Sequence, residues 1–259
     1  MSKQPIGIFD SGVGGTSIWK EIHNLLPNEN TIYLADSINA PYGPKGKKTI
    51  TDLSIKNTEL LLEKGCKLII VACNTATTNS IDYLRKNYKV PFIGIEPAIK
   101  PAALQTKTNA IGILATKGTL SSTLFSITSG LFASDVTVVE QIGEGIVPLI
   151  EKGKLYSDEM KGLLKLHLKP MIDANIDYLV LGCTHYPYLI PLLVDLLPKN
   201  VKIIDSGEAV ARQTKTVLEQ HDLLNTETLR SKKEFYTNGN PNVMKSLLNS
   251  EFNVSYLDF

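Results

Sequence analysis

The chain has 259 residues, 43% of them hydrophobic and 20% charged, with 27 Lys and Arg against 26 Asp and Glu for a formal net charge of +1. These proportions exclude a disordered or collagen-like chain and fit one or two globular domains. The near-neutral balance, with Lys45–Lys48 as the densest basic run, argues against a nucleic-acid or membrane-surface partner, and no apolar run reaches the roughly 18 residues of a membrane helix.

Met1–Gln4 lead straight into an apolar strand at Ile6–Phe9, so no leader is expected and a cytoplasmic location is. Thiols stay reduced there, and Cys66, Cys73 and Cys183 are not expected to pair. Further strands are expected at Thr31–Leu34, Lys67–Ala72 and Pro91–Ile95, then at Ala110–Leu114, Val136–Val139, Tyr178–Gly182 and Val201–Ile204. Helices fit between them. Thr16 is placed to cap one that ends before Pro27, Gly65 to end one that begins near Ile50, and Pro187 to open one that stops by Pro198. After Asp205, the residues Val210, Thr214, Val217, Leu218 and His221 share one helix face. Glu234–Thr237 then reads as a strand and Asn238–Pro241 as a turn, before a short helix and a last strand.

The two sets of strands keep step. Ile6-Gly7-Ile8 recurs as Ile111-Gly112-Ile113, 105 residues on, and the second strands keep that spacing (31 to 136). The third strands end in Cys73 and Cys183, 110 apart, as are the fourth strands (91 to 201). Alternating strands and helices with such a repeat predict an α/β fold of two similar halves with mainly parallel sheets. The boundary falls near Ile99–Asn109.

Ligands of parallel α/β sheets gather beyond the carboxyl ends of the strands. There the first half offers Asp10-Ser11-Gly12-Val13-Gly14-Gly15, then Asp36 with Pro41-Tyr42-Gly43, then Cys73-Asn74-Thr75-Ala76-Thr77. The second offers Thr116-Lys117-Gly118-Thr119 and Cys183-Thr184-His185-Tyr186-Pro187. If the halves face each other, Cys73 and Cys183 approach one cleft from opposite sides. That suits proton transfer at a stereocentre: one thiolate removes a proton from one face of a carbon and the other thiol returns one to the opposite face. Each cysteine precedes a helix start, where the dipole favours the thiolate. Cys66 has no such counterpart and reads as packing.

The glycine loop matches neither the G-x-G-x-x-G fingerprint nor a phosphate loop. It reads equally as a plain strand-to-helix turn and as a loop whose N–H groups hold a carboxylate. Asp10 serves either to orient or deprotonate a thiol or to cap that turn. His185, two residues past Cys183, can share its proton, whereas His23, His167 and His221 read as helix-surface or core residues. Four histidines without ligand spacing give no expected metal site, and no lysine stands at a strand end as a pyridoxal site requires.

The glycine loop, Pro41-Tyr42-Gly43 and the two cysteine motifs together resemble the glutamate racemase family, within the aspartate/glutamate racemase superfamily, from the first strand to Asp205-Ser206-Gly207-Glu208. The resemblance implies two α/β domains related by a pseudo-twofold, 1–98 with 209–259 and 99–208, with the active site in the cleft between them. It implies interconversion of L- and D-glutamate without a cofactor or metal, by proton abstraction and return at the α-carbon. That activity would supply D-glutamate for peptidoglycan, and so for cell-wall biogenesis and cell shape, in a cytoplasmic enzyme that is often a homodimer. By the same match Cys73 and Cys183 are the acid/base pair, with Asp10 assisting Cys73, His185 assisting Cys183, and Glu151 a carboxylate near the second cysteine. Glu151 otherwise reads as an ordinary helix-end charge. Substrate contacts carried over are Asp10, Ser11, Tyr42, Gly43, Asn74, Thr75, Thr184 and His185, with Thr116, Thr119 and Ser122 as weaker candidates. Two residues depart from the family pattern: Thr16, where Leu or Val is common, and Phe125, where an aromatic hydroxyl is. The alternatives are a racemase of aspartate or another compact acid, a two-lobed protein that binds an acidic metabolite without chemistry, and, more distantly, a nicotinamide oxidoreductase.

Overall fold

The computed structural model describes residues 2–227 and 231–259. The first half runs β1 (Ile6–Asp10), α1 (Thr16–Leu25), β2 (Thr31–Ala35), α2 (Lys47–Glu63), β3 (Leu68–Val71), α3 (Asn74–Asn87) and β4 (Phe92–Gly94). The second runs α4 (Ile99–Gln105), β5 (Ala110–Ala115), α5 (Lys117–Leu120), α6 (Thr123–Phe132), β6 (Thr137–Ile142), α7 (Ile146–Glu151), α8 (Asp158–Asp173), β7 (Tyr178–Gly182), α9 (Ile190–Leu196) and β8 (Lys202–Ile204). The chain closes with α10 (Gly207–Gln220), β9 (Lys233–Thr237), α11 (Pro241–Leu247) and β10 (Val254–Tyr256), and single 3₁₀ turns occupy Ser37–Asn39 and Tyr186–Leu189. Among the described residues no helix is long and apolar enough to cross a membrane.

The strands form two sheets, ordered β10-β9-β2-β1-β3-β4 and β6-β5-β7-β8, with every pair parallel. Within them β2-β1-β3-β4 and β6-β5-β7-β8 repeat one order. The last strands join the first sheet, β9 on β2 and β10 on β9. Parallel strands covered on both faces read as unbroken apolar runs, and β1 is buried along its whole length. Ile6 and Ile8 pack under α1 and α10 with Trp19, Ile22, Val210 and Leu218, while Phe9 packs under α2 and α3 with Ile50, Leu61 and Ala76. In the second sheet Ile111 and Ile113 meet Ile99, Ala102 and Phe125, and Leu114 meets Leu164 and Leu168 of α8. The Ile6–Ile8 core continues through Ile146, Val147 and Ile150 to Leu179, Leu181 and Tyr186. One apolar core therefore runs across both halves and brings their carboxyl strand ends together.

Several expectations are corrected. Gly7 pairs with Ile32 and Ile69, and Gly112 with Val139 and Leu179. The third strands keep the 110-residue spacing (69 to 179), but the second strands are 107 apart (32 to 139) and the fourth 111 (92 to 203). Two helices, α5 and α6, fill the second crossover where α1 alone fills the first, and the insertion shifts β6 by an even number, which keeps its side chains on the same face. Thr16 begins α1 rather than capping it: Gly15 is the N-cap, and the Thr16 hydroxyl donates to Val13 O at 2.6 Å. His221 lies at the C-cap of α10, exposed and off the buried face. Pro187 sits in the 3₁₀ turn, so the regular helix opens only at Ile190.

At the amino ends of the central strands, the end away from the cysteines, Lys67 Nζ and Glu29 form a fully buried ion pair at 2.6 Å. Lys67 also donates to Ser2 O and Leu223 O, and Glu29 accepts Asn225 N–H. This clasp fastens the segment that carries the chain back to β9.

Candidate active site

Cys73 is the N-cap of α3, its sulfur accepting the Ala76 N–H at 3.4 Å while its thiol donates to Ser11 Oγ at 3.7 Å. Burial, then the nearby Asp10 carboxylate, pushes this thiol well above its ordinary range. Asp10 ends β1. Burial raises its pKa from 3.8 to about 6, opposed by the His185 charge and by the Gly15 N–H, which it accepts at 2.9 Å. Its other oxygen accepts the Thr184 hydroxyl at 3.3 Å. The first cysteine is thus kept protonated by an apolar, acidic setting.

Cys183 follows β7 and precedes only a 3₁₀ turn. Its sulfur lies 3.7 Å from His185 Nδ1, and His185 Nε2 lies 2.6 Å from Glu151 Oε1. Burial works against the imidazolium, but hydrogen bonds to Cys183 and Glu151, with their negative charge, outweigh it and hold the His185 pKa well above the usual value. Glu151 ends α7, where the helix dipole disfavours an anion. Its compensation comes from the first half: Val13 N–H donates to Oε1 at 2.7 Å and the Ser37 hydroxyl to Oε2 at 2.8 Å. The glycine loop makes this approach possible. A Cβ at Gly12 would overlap the Glu151 carboxylate, and one at Gly14 would overlap the His185 ring.

The two cysteines line one small cavity. From the first half Ser11, Tyr42, Gly43, Asn74 and Thr75 complete its wall, with Pro41; from the second come Thr116, Val147, Gly182, Thr184 and His185. Asn74 is buried with neither its amide nitrogen nor its oxygen hydrogen-bonded, which makes it the wall's free polar group. The Tyr42 hydroxyl instead donates to buried Asp36 at 2.5 Å and accepts Asn57 Nδ2 at 3.1 Å, so Tyr42 offers the cavity its ring. Thr75 and Thr116 join hydroxyls across the halves at 2.8 Å, with Thr119 at 3.1 Å from Thr116. Asp10 and Glu151 stand behind the wall, against Cys73 and His185. Ser122 caps α6 and lies outside this wall.

Residues 6–214 match the Asp/Glu/Hydantoin racemase family. The chain belongs to that family. It is 46% identical over 241 residues to the glutamate racemase of Herpetosiphon aurantiacus, covering 93% of this chain and 95% of that one. Its fold is similar to the crystal structure of Escherichia coli glutamate racemase in complex with L-glutamate and the activator UDP-MurNAc-ala, with a TM-score of 0.87, 32% identity and 98% of each chain covered. It is also similar to the glutamate racemase of Francisella tularensis in complex with D-glutamate, with a TM-score of 0.85, 28% identity, and 100% of this chain and 98% of that one covered.

For this racemase-family chain, residue-by-residue reading misses what the first half supplies to the second. Ser37 follows Asp36 at a strand end and gives no motif. Tyr33, whose hydroxyl donates to Gly12 O at 2.8 Å, reads only as an apolar strand residue. Thr16 joins hydroxyls with Tyr188 at 2.6 Å, and Ser17 donates to Thr184 O at 2.8 Å. For Glu151 a signal existed: an acid in the last turn of a helix, against the dipole, needs donors from elsewhere.

Proposed function

We propose that this protein is a glutamate racemase that interconverts the L- and D-enantiomers with Cys73 and Cys183 as its two acid/base residues. The observation that carries the reading is that both sulfurs line one cavity, each borne by a different sheet. The glutamate racemases it resembles, two of them with L- or D-glutamate in the complex, support the substrate.

In the mechanism, glutamate lies with its α-carbon between the sulfurs. In the arrangement described, Cys73 carries a proton and Cys183 faces an imidazolium, the partner that a thiolate needs. Cys183 sulfur takes the α-proton; the electron pair left on carbon is delocalised into the α-carboxylate; Cys73 then gives its proton to the opposite face. The enzyme emerges with the two protonation states exchanged, ready for the other enantiomer. With no electron sink invoked, donors around the carboxylate must hold the developing charge, and one such donor is worth roughly 3–4 kcal/mol in a model protease. The unpaired Asn74 amide and the N-terminus of α3 are the groups available for this. Ser11, Tyr42, Gly43, Thr75 and Thr184 shape the remaining contacts, with Thr116 and Thr119 at the seam. Asp10 and the His185–Glu151 pair act as proton partners of Cys73 and Cys183.

A homodimeric, cytoplasmic enzyme that supplies D-glutamate for peptidoglycan completes the reading, supported by the family resemblance. The test is circular dichroism of each glutamate enantiomer with purified protein and no added cofactor, run beside aspartate. Decay of both glutamate signals towards zero is expected. Silence with glutamate, or faster turnover of aspartate, would overturn the assignment.

A further inference from the structure

Cys183, His185 and Glu151 all belong to the second half, yet what fixes Glu151 comes from the first. Its Oε1 is shared between Val13 N–H and His185, and its Oε2 is taken by the Ser37 hydroxyl at 2.8 Å. Ser37 is itself fixed. It opens the 3₁₀ turn after β2, where the next residue's N–H donates to Asn238 Oδ1 at 3.0 Å and the Asp36 N–H donates to Asp10 O at 3.1 Å. Gly239 presses on it from the turn after β9: a Cβ there would lie 2.6 Å from Ser37 Cβ, so only glycine lets the turn approach this closely. The returning C-terminal strand thus buttresses Ser37, and Ser37 aims the carboxylate of the facing half.

We propose that Ser37 is a positioning residue for the proton relay of the second cysteine: by donating to Glu151 from the opposite half, it makes the orientation of His185 depend on the two halves being together. The inference rests on the racemase reading and extends it. Cys183 has a working imidazole partner only when the cavity is assembled, which keeps the relay from operating in an open, wet cleft. Three ionisable groups face His185: Cys183 from its own loop, Glu151 from α7 and Asp10 from the end of β1. Of these, Glu151 holds the imidazole at Nε2 and leaves Nδ1 for sulfur. Without Ser37 the carboxylate keeps only Val13 on the first half and swings, and the imidazolium loses part of its support.

The test is Ser37→Ala in the full chain, with kcat and KM followed across pH for glutamate. We expect kcat to fall about tenfold, as suits a hydrogen bond to a charged group, with KM within about twofold and an unchanged thermal midpoint at neutral pH. The alkaline limb of the profile should move to lower pH, because a less supported imidazolium deprotonates earlier. In a Glu151→Ala background the same change should cost less than about twofold, since the two residues act through one contact. A Ser37→Ala profile that superimposes on the wild type or moves upward, or full additivity with Glu151→Ala, would overturn the inference. Failure of the racemase reading is seen separately, as a wild type without glutamate turnover or a Cys183→Ser variant that keeps it.

Discussion

The surroundings of Cys73 and Cys183 occupy the same place in the four-strand order that the two sheets share, and they differ in nearly every chemical respect. Cys73 caps a fourteen-residue helix and shares its pocket with Ser11 and a buried Asp10. Cys183 precedes a single 3₁₀ turn and leans on an imidazole that is backed by a carboxylate. One setting holds a proton on sulfur; the other places a cation beside it. A reaction that takes a proton at one face and returns one at the other needs that inequality at every turnover, and needs it to be exchangeable. The lesson is that a repeated backbone supplies the opposed geometry, while the few side chains behind each sulfur supply the difference in charge. Both backing groups reach across the cleft: Asp10 accepts from Thr184, and Glu151 accepts from Val13 and Ser37.

The harshest way to break the comparison is to remove either sulfur. Cys73→Ser and Cys183→Ser should each lower racemisation by about a thousandfold, the scale of general acid–base catalysis, in the circular-dichroism assay. A loss confined to one variant would mean that one cysteine serves alone. The next effect belongs to the amino ends of the central strands of the first sheet and shows that catalysis and stability part company. Lys67→Met leaves the buried Glu29 charge without its cation and should cost about 3–5 kcal/mol in denaturant unfolding, with kcat unchanged at temperatures where the protein is folded.

Asp10 sharpens the comparison on the Cys73 side. Its pKa is raised from 3.8 to about 6, so the folded state holds the proton longer than the unfolded chain does. The wild type therefore loses stability as pH rises from about 4 to about 6 and recovers none above it, an amount on the order of 3 kcal/mol. Asp10→Asn should raise the thermal midpoint at pH 8, lose that advantage below pH 4, and lower kcat. A flat stability difference between the variants across that range would show that Asp10 is not the strained acid described here. The smallest effect is expected at Cys66, whose thiol burial pushes up to about 12. Cys66→Ala should leave racemisation within about twofold and cost about 1 kcal/mol of packing.

Much of this is legible in the sequence. The apolar runs around Ile6–Phe9 and Tyr178–Gly182 marked both central strands, and the shared Ile-Gly-Ile tripeptide marked the repeat, because buried parallel strands leave little freedom of composition. Cys73 and Cys183 were visible as strand-end residues. The spacing of β6 and β8 was not, since crossover length is set by how helices such as α5 and α6 pack rather than by strand pattern. The Ser37–Glu151 contact joins residues 114 positions apart. Nothing local in either segment encodes it; it appears only when β2 of one sheet and α7 beside the other are brought to the same cleft. The Thr16 cap failed for a related reason, its hydroxyl being drawn to Val13 O and Tyr188.

In the proposed mechanism two opposed sulfurs each handle a different proton. Incubating each glutamate enantiomer with the enzyme in deuterium oxide, and stopping early, reads this directly by mass spectrometry. The prediction is deuterium at the α-carbon of the product while recovered substrate still carries hydrogen, for both enantiomers. Product that retains the original α-hydrogen, handed across the carbon by a single base, would contradict it.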